Sequence, residues 1–156
     1  MNQFLSAVVV LLFATKTAGF AQAQTPPFPL VPYKIENGEI TNALAAPGNA
    51  KQGEVIVLDR GLSSCVLCHI VPNPEGRPMG NIAPPLAGVA ARLSAGQLRL
   101  RMVDSTQINP QSIMPPYYRI EGLHQVAAAW RGKPILDAQQ IEDIVAYLLS
   151  LKDVNR

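Results

Sequence analysis

Cys65-Val66-Leu67-Cys68-His69 places two thiols and an imidazole within five consecutive residues. They are the chain's 2 cysteines and one of its 2 histidines. One chemistry uses all three groups at this spacing: C-x-x-C-H is the attachment pattern of a c-type haem. The thiols add across the two vinyl groups, and the resulting thioethers hold the macrocycle edge against the backbone. The histidine follows at once, so its ring is delivered to one face of the iron. Two other chemistries use part of the pattern. A Cys65–Cys68 disulfide would be a redox site, but such a pair ordinarily opens a helix in a strand-rich chain, and no strand-rich pattern is visible. Structural zinc needs four protein ligands, and the remaining histidine, His124, is poorly spaced to supply one.

A six-coordinate haem iron takes a second axial ligand, methionine or histidine, while an open site takes none. The candidates are Met79, Met102, Met114 and His124. Met79 follows His69 by only ten residues, so its loop must first turn around the haem edge. Met102 falls on an apolar helical stripe, where a core methionine is the simpler reading. Met114 stands before Pro115-Pro116, and a residue before proline is pushed to extended backbone. That projects a flexible thioether from a stiff strap. Met114 is the expected distal ligand, with His124 as its rival. An axial histidine normally donates its other ring N–H to a carbonyl. Pro84 in Gly80-Asn81-Ile82-Ala83-Pro84-Pro85-Leu86 offers one, or else that segment is an ordinary proline turn.

Three helices are needed to position these groups. Asn49 is a plausible N-cap for a helix over 49–59, with Val55, Ile56, Val57 and Leu58 as its apolar residues. Gly53 inside it costs about 1 kcal/mol relative to Ala: either another helix approaches closely, or it is a tolerated glycine near a helix start. Ser94 and Gln97 form a capping box, opening a helix with Leu98, Met102 and Val103 on one face and Arg99 and Arg101 on others. It should end near Ser105. Asp137 and Gln140 form a second capping box. Ile141, Ile144, Val145, Leu148, Leu149 and Leu151 then recur at helical spacing to about 151, with Gln139, Glu142, Asp143 and Lys152 largely off the stripe. The 14 prolines interrupt everything between. The expected fold is a small all-α domain with long proline-rich loops.

The start of the chain reads differently. Phe4 to Ala14 is an apolar run too short to span a bilayer. It has the length of a signal-peptide core, and Ala21-Gln22-Ala23 supplies a cleavage site. Only the α-amino group charges the segment before it, which is atypical; an uncleaved anchor is the alternative, though so short a run spans poorly. Removing 1–23 leaves 133 residues with 12 basic and 11 acidic side chains, one small domain. That balance, with no Lys/Arg run, predicts no nucleic-acid partner. Export to the periplasm and haem attachment agree, because thioether formation consumes thiols that an oxidising compartment would otherwise pair. Residues 24–47, with Pro26, Pro27, Pro29 and Pro32 and the turn Glu36-Asn37-Gly38-Glu39, read as an extended arm. The haem domain is then 48–156.

Together these residues resemble a class I cytochrome c. The matching features are a first helix with Gly53, C-x-x-C-H, a loop like G-P-x-L (Ala83-Pro84-Pro85-Leu86), a methionine loop, and a last helix with Tyr147. Ala83 stands where that family usually has glycine. The resemblance implies that Gly53 and Val57 meet Ile144 and Tyr147. Gly80 to Leu86, Asn109-Pro110 through Met114-Pro115-Pro116-Tyr117-Tyr118-Arg119, and Gly132-Lys133-Pro134-Ile135-Leu136 are further similar to SoxX cytochromes. These are the monohaem subunits of SoxAX complexes. The resemblance implies one covalent haem c and a SoxA-like cytochrome partner whose haem carries a modified cysteine ligand. It also implies transient contact with a SoxYZ-like carrier, to which thiosulfate is joined, and a downstream cytochrome as electron acceptor. This chain would relay electrons and would not catalyse alone. A free periplasmic electron shuttle is the alternative, and a haem sensor or small oxidase would need an open iron position.

Overall fold

The computed structural model describes residues 30–72 and 76–152. The expected signal segment with its Ala23 cleavage site, and arm residues 24–29, lie outside the described residues. Helix α1 spans Ala50–Leu58, α2 spans Ala95–Asp104 and α3 spans Ala138–Ser150. Short 3-10 turns at Cys65–Leu67, Val89–Ala91, Ser105–Gln107 and Ala128–Trp130 punctuate the loops. Among the described residues, the only β-pairing is an isolated bridge between Glu36 and Glu39.

Each helix begins where a side chain satisfies its first free N–H groups. Asn49 Oδ1 accepts from the backbone of Lys51 and Gln52 at 3.0 and 3.3 Å. Ser94 Oγ accepts from Gln97 N at 3.1 Å, and Gln97 returns a carboxamide oxygen to Ser94 N at 3.1 Å. Asp137 and Gln140 exchange the same pair of bonds at 2.8 and 2.9 Å. Helix α2 ends at Asp104, whose carboxylate accepts from Thr106 N at 3.1 Å and opens the Ser105–Gln107 turn.

Helix α3 is the spine. Ile141, Ile144, Val145 and Leu148 are buried against α1 and α2. Each such side chain contributes about 1.5–3 kcal/mol when fully buried. Helix α1 crosses α3 at Gly53, where a Cβ would sit 2.0 Å from the Asp143 carbonyl oxygen and 2.8 Å from Tyr147 Cβ. No larger residue leaves that separation.

The polar faces of α2 and α3 do not all meet solvent. Arg99 and Glu142 are each about 5 % exposed and form a two-pronged ion pair, Nε to Oε1 at 2.6 Å and Nη2 to Oε2 at 2.8 Å. Glu142 Oε1 also accepts from Leu44 N at 2.9 Å, and Arg99 Nη1 donates to the Ile40 carbonyl at 2.6 Å. The described part of the arm is thereby stitched to the bundle. Ile40 is fully buried and Leu44 nearly so, while Val31 N donates to the Tyr118 hydroxyl at 2.7 Å.

Candidate functional site

The C-x-x-C-H segment is presented by the loop after α1. Asp59 Oδ1 accepts from Gly61 N and Leu62 N at 2.7 and 3.0 Å, closing a tight turn. The Ser63 hydroxyl, buried, donates to the Ile56 carbonyl at 2.6 Å. The chain then makes one helical turn in which Cys68 N and His69 N both donate to the Cys65 carbonyl, at 3.1 and 2.9 Å. Positions i, i+3 and i+4 share a face of such a turn, so Cys65, Cys68 and His69 are brought together. Cys65 is buried and Cys68 half-buried, and the two thiols are not joined. Burial pushes the Cys65 thiol up from its usual range, against hydrogen bonds with Ser63 and Tyr117 that pull it down.

Residues 79–86 run alongside this turn. Gly80 N donates to Val66 O at 2.9 Å, Ala83 N to Cys68 O at 3.0 Å, and Leu86 N to Ile70 O at 2.9 Å. A Cβ on Gly80 would stand 1.8 Å from the Leu67 carbonyl oxygen, so glycine is required for the two segments to touch. Ala83 is not among the positive-φ residues, so alanine serves at this turn. The three bonds set the Pro84 carbonyl 2.7 Å from His69 Nδ1. A carbonyl only accepts, so Nδ1 carries the proton and Nε2 is the ring atom left for a metal.

The methionine strap is fixed at both ends. The Ser105 hydroxyl, at the end of α2, donates to the Met114 carbonyl at 2.9 Å and meets the Ser112 hydroxyl at 2.9 Å. Beyond the two prolines, Tyr117 N donates to Met102 O at 3.1 Å. The Tyr117 hydroxyl donates to Ser63 O at 2.6 Å, tying the strap to the loop before Cys65. Burial, and then the nearby Cys65 thiol, push the Tyr117 hydroxyl up, so it stays a neutral donor.

These segments enclose a cleft of about 580 Å³. Cys65, His69, Pro84, Met102 and Met114 all line it. The rest of the wall is largely apolar and includes Val57, Leu86, Val89, Leu98, Ile144 and Leu148. His124 is exposed and is not part of the wall. Met79 is turned elsewhere, its sulfur accepting from Val71 N at 3.3 Å. Met102 is 3 % exposed, packed on α2. Of the four sulfur and imidazole candidates, Met114 combines a place in the wall with a strap held by its backbone.

The sequence reading missed three parts of this arrangement. Ser105 and Ser112 hold the strap, Tyr117 bridges strap to attachment loop, and Arg101 lines the cleft with Leu98 and Met102 where another helix face was expected. Arg101 was discoverable: it follows Leu98 by three positions and precedes Ser105, also in the wall, by four.

The cytochrome c family model matches residues 50–152, from the first residue of α1 to just past α3. The chain belongs to the cytochrome c family. Its cofactor is haem c, covalently bound. The site fits that group: the cleft lies within the roughly 300–1,000 Å³ of small-molecule sites, its wall is largely apolar, and a thiol and an oriented imidazole open into it. A chain in the crystal structure of SoxXA from P. pantotrophus is 35 % identical, with a TM-score of 0.72 over 78 % of this chain and 95 % of that one. The resemblance to SoxX cytochromes read from the sequence is borne out, and so is the all-α class I fold. No curated protein matches the chain. Among the described residues, no helix is long and apolar enough to cross a membrane.

Proposed function

We propose that this chain is the electron-transfer haem subunit of a SoxAX-type complex. In it a SoxA-like cytochrome partner oxidatively joins thiosulfate to a cysteine of a SoxYZ-like carrier. The observation that carries the reading is the likeness to the SoxXA chain over nearly the whole of that chain. Cys65 and Cys68 would carry the thioethers, and His69 Nε2, oriented through Pro84, and Met114 would hold the iron. A haem so ligated supplies one-electron transfer. With His69 and Met114 holding the iron and both cysteines in thioethers, this chain would keep neither an open iron nor a thiol for thiosulfate. The sulfur chemistry therefore belongs to the partner, and electrons pass onward through this haem to a soluble acceptor cytochrome. The signal segment 1–23 directs export to the periplasm, with cleavage after Ala23 and 24–47 as the mature arm.

Co-expression with haem-maturation machinery tests this, with and without a SoxA-like cytochrome. The expected result is a stable heterodimer and thiosulfate-dependent electron delivery only when both subunits and carrier are present. A monomer that ignores the partner and exchanges electrons freely with larger complexes would instead make it a shuttle. Mass spectrometry of the mature N-terminus should begin at Gln24.

A further inference from the structure

Serine hydroxyls take both backbone polar groups of Met114. The Ser105 hydroxyl donates to the Met114 carbonyl at 2.9 Å, and Met114 N donates to the Ser112 hydroxyl at 3.3 Å. The two hydroxyls lie 2.9 Å apart. A hydroxyl carries one proton and two lone pairs. Ser105 gives its proton to the Met114 carbonyl, so Ser112 is the donor between the two serines. The bonds then close a ring in which Ser112 donates to Ser105, Ser105 to Met114, and Met114 back to Ser112.

The ring grows out of the end of α2. Asn109 N donates to Ser105 O at 3.1 Å, and Ser112 N donates to Asn109 O at 2.9 Å. Ser105 is 6 % exposed, so water competes poorly for its proton. The residues beside Met114 offer little other support: Pro115 and Pro116 carry no N–H, and Ile113 is 78 % exposed. The next anchors on that side, Tyr117 N on Met102 O and the Tyr117 hydroxyl on Ser63 O, come only beyond the prolines. A thioether is flexible, so its place in the cleft is only as fixed as the backbone that carries it.

We propose that Ser105 and Ser112 are positioning residues that keep the Met114 thioether on the iron and so shut other ligands out of the cleft. Both line the cleft, and both act through the Met114 backbone. The inference rests on Met114 as the distal ligand, which Met114→Ala tests separately: survival there of the near-red band of a thioether–iron bond would sink that reading, whatever the serine variants do.

The test is stopped-flow binding of imidazole to the ferric holoprotein. At high imidazole the rate levels off at the rate with which Met114 leaves. Ser105→Ala and Ser112→Ala each remove two neutral hydrogen bonds and should each raise this plateau about tenfold or more. The near-red band should persist in both before imidazole is added. Ser112→Thr keeps a hydroxyl at a half-buried position and should fall near wild type. The double alanine variant should raise the plateau by less than the product of the single effects, because the bond between the hydroxyls is lost in either one. Gly53→Ala loosens the α1–α3 crossing and not the strap, so it should leave the plateau unchanged. Ser112→Ala at the wild-type plateau overturns the proposal, as does a plateau raised equally by Gly53→Ala. If Ser105→Ala yields no holoprotein, Ser112→Ala and Ser112→Thr decide between them: equal plateaus overturn the clamp.

Discussion

Met114 is positioned by its backbone as much as by its side chain. Its carbonyl is held by Ser105, its amide lies 3.3 Å from the Ser112 hydroxyl, and Pro115 and Pro116 stiffen the strap on its C-terminal side. Met114→Ala should therefore remove the weak near-red charge-transfer band of a thioether–iron bond while the fold persists. Met102→Ala should keep that band and instead lose about 2–5 kcal/mol of stability, as buried methionines do. Visible absorption and denaturant melts of the two holoproteins separate these outcomes. Asp104 gives a second residue-scale expectation. Burial raises its pKa, but bonds from Thr106 and Gln107 and the Arg119 charge outweigh this and hold it below the usual carboxylate value. A depressed folded pKa means stability present above the unfolded value of about 3.9 and lost as pH falls through the folded one. Asp104→Asn should thus be less stable than wild type near neutrality, and the gap should close with acid. The C-x-x-C-H groups were legible in the sequence because covalent attachment demands a fixed local spacing. The Ser105 and Tyr117 contacts were not, because Ser105 reaches Met114 across a loop and Tyr117 reaches Ser63 across 54 residues.

Helix boundaries were legible for the same local reason: a capping box is complete within four residues, and both boxes formed. What the helices do to one another was legible only in part. Gly53 announced a close approach, and the Asp143 carbonyl supplies it. Glu142 lies off the apolar stripe, yet it is buried against Arg99, 43 positions away. A long-range buried pair leaves no periodic trace. Both contacts can be probed by substitution. Alanine normally gains about 1 kcal/mol over glycine inside a helix, but Gly53→Ala should destabilise by about 1–3 kcal/mol, the cost of overpacking. Glu142→Ala strands the Arg99 charge and should cost about 3–5 kcal/mol, whereas Arg99→Met combined with Glu142→Leu should recover most of it. Chemical denaturation of the holoproteins checks both.

At the scale of the whole molecule, the described part of the arm, the bundle and the cleft form one unit. Ile40 and Leu44 were read as part of an extended arm because prolines and a turn surround them. In the fold they close the core, and their backbone groups complete the Arg99–Glu142 network. Deleting residues 24–47 should therefore destabilise the domain itself, beyond any effect on a partner. The cleft in turn gathers its walls from all three helices and the loops between them, so haem, strap and attachment loop stand or fall together. Its iron should act as a relay for electrons that arise elsewhere. Optical titration of the ferric holoprotein with thiosulfate under anaerobic conditions tests this most directly. The haem should stay ferric with thiosulfate alone and become ferrous when the SoxA-like partner and carrier are added; reduction by thiosulfate alone would contradict the account.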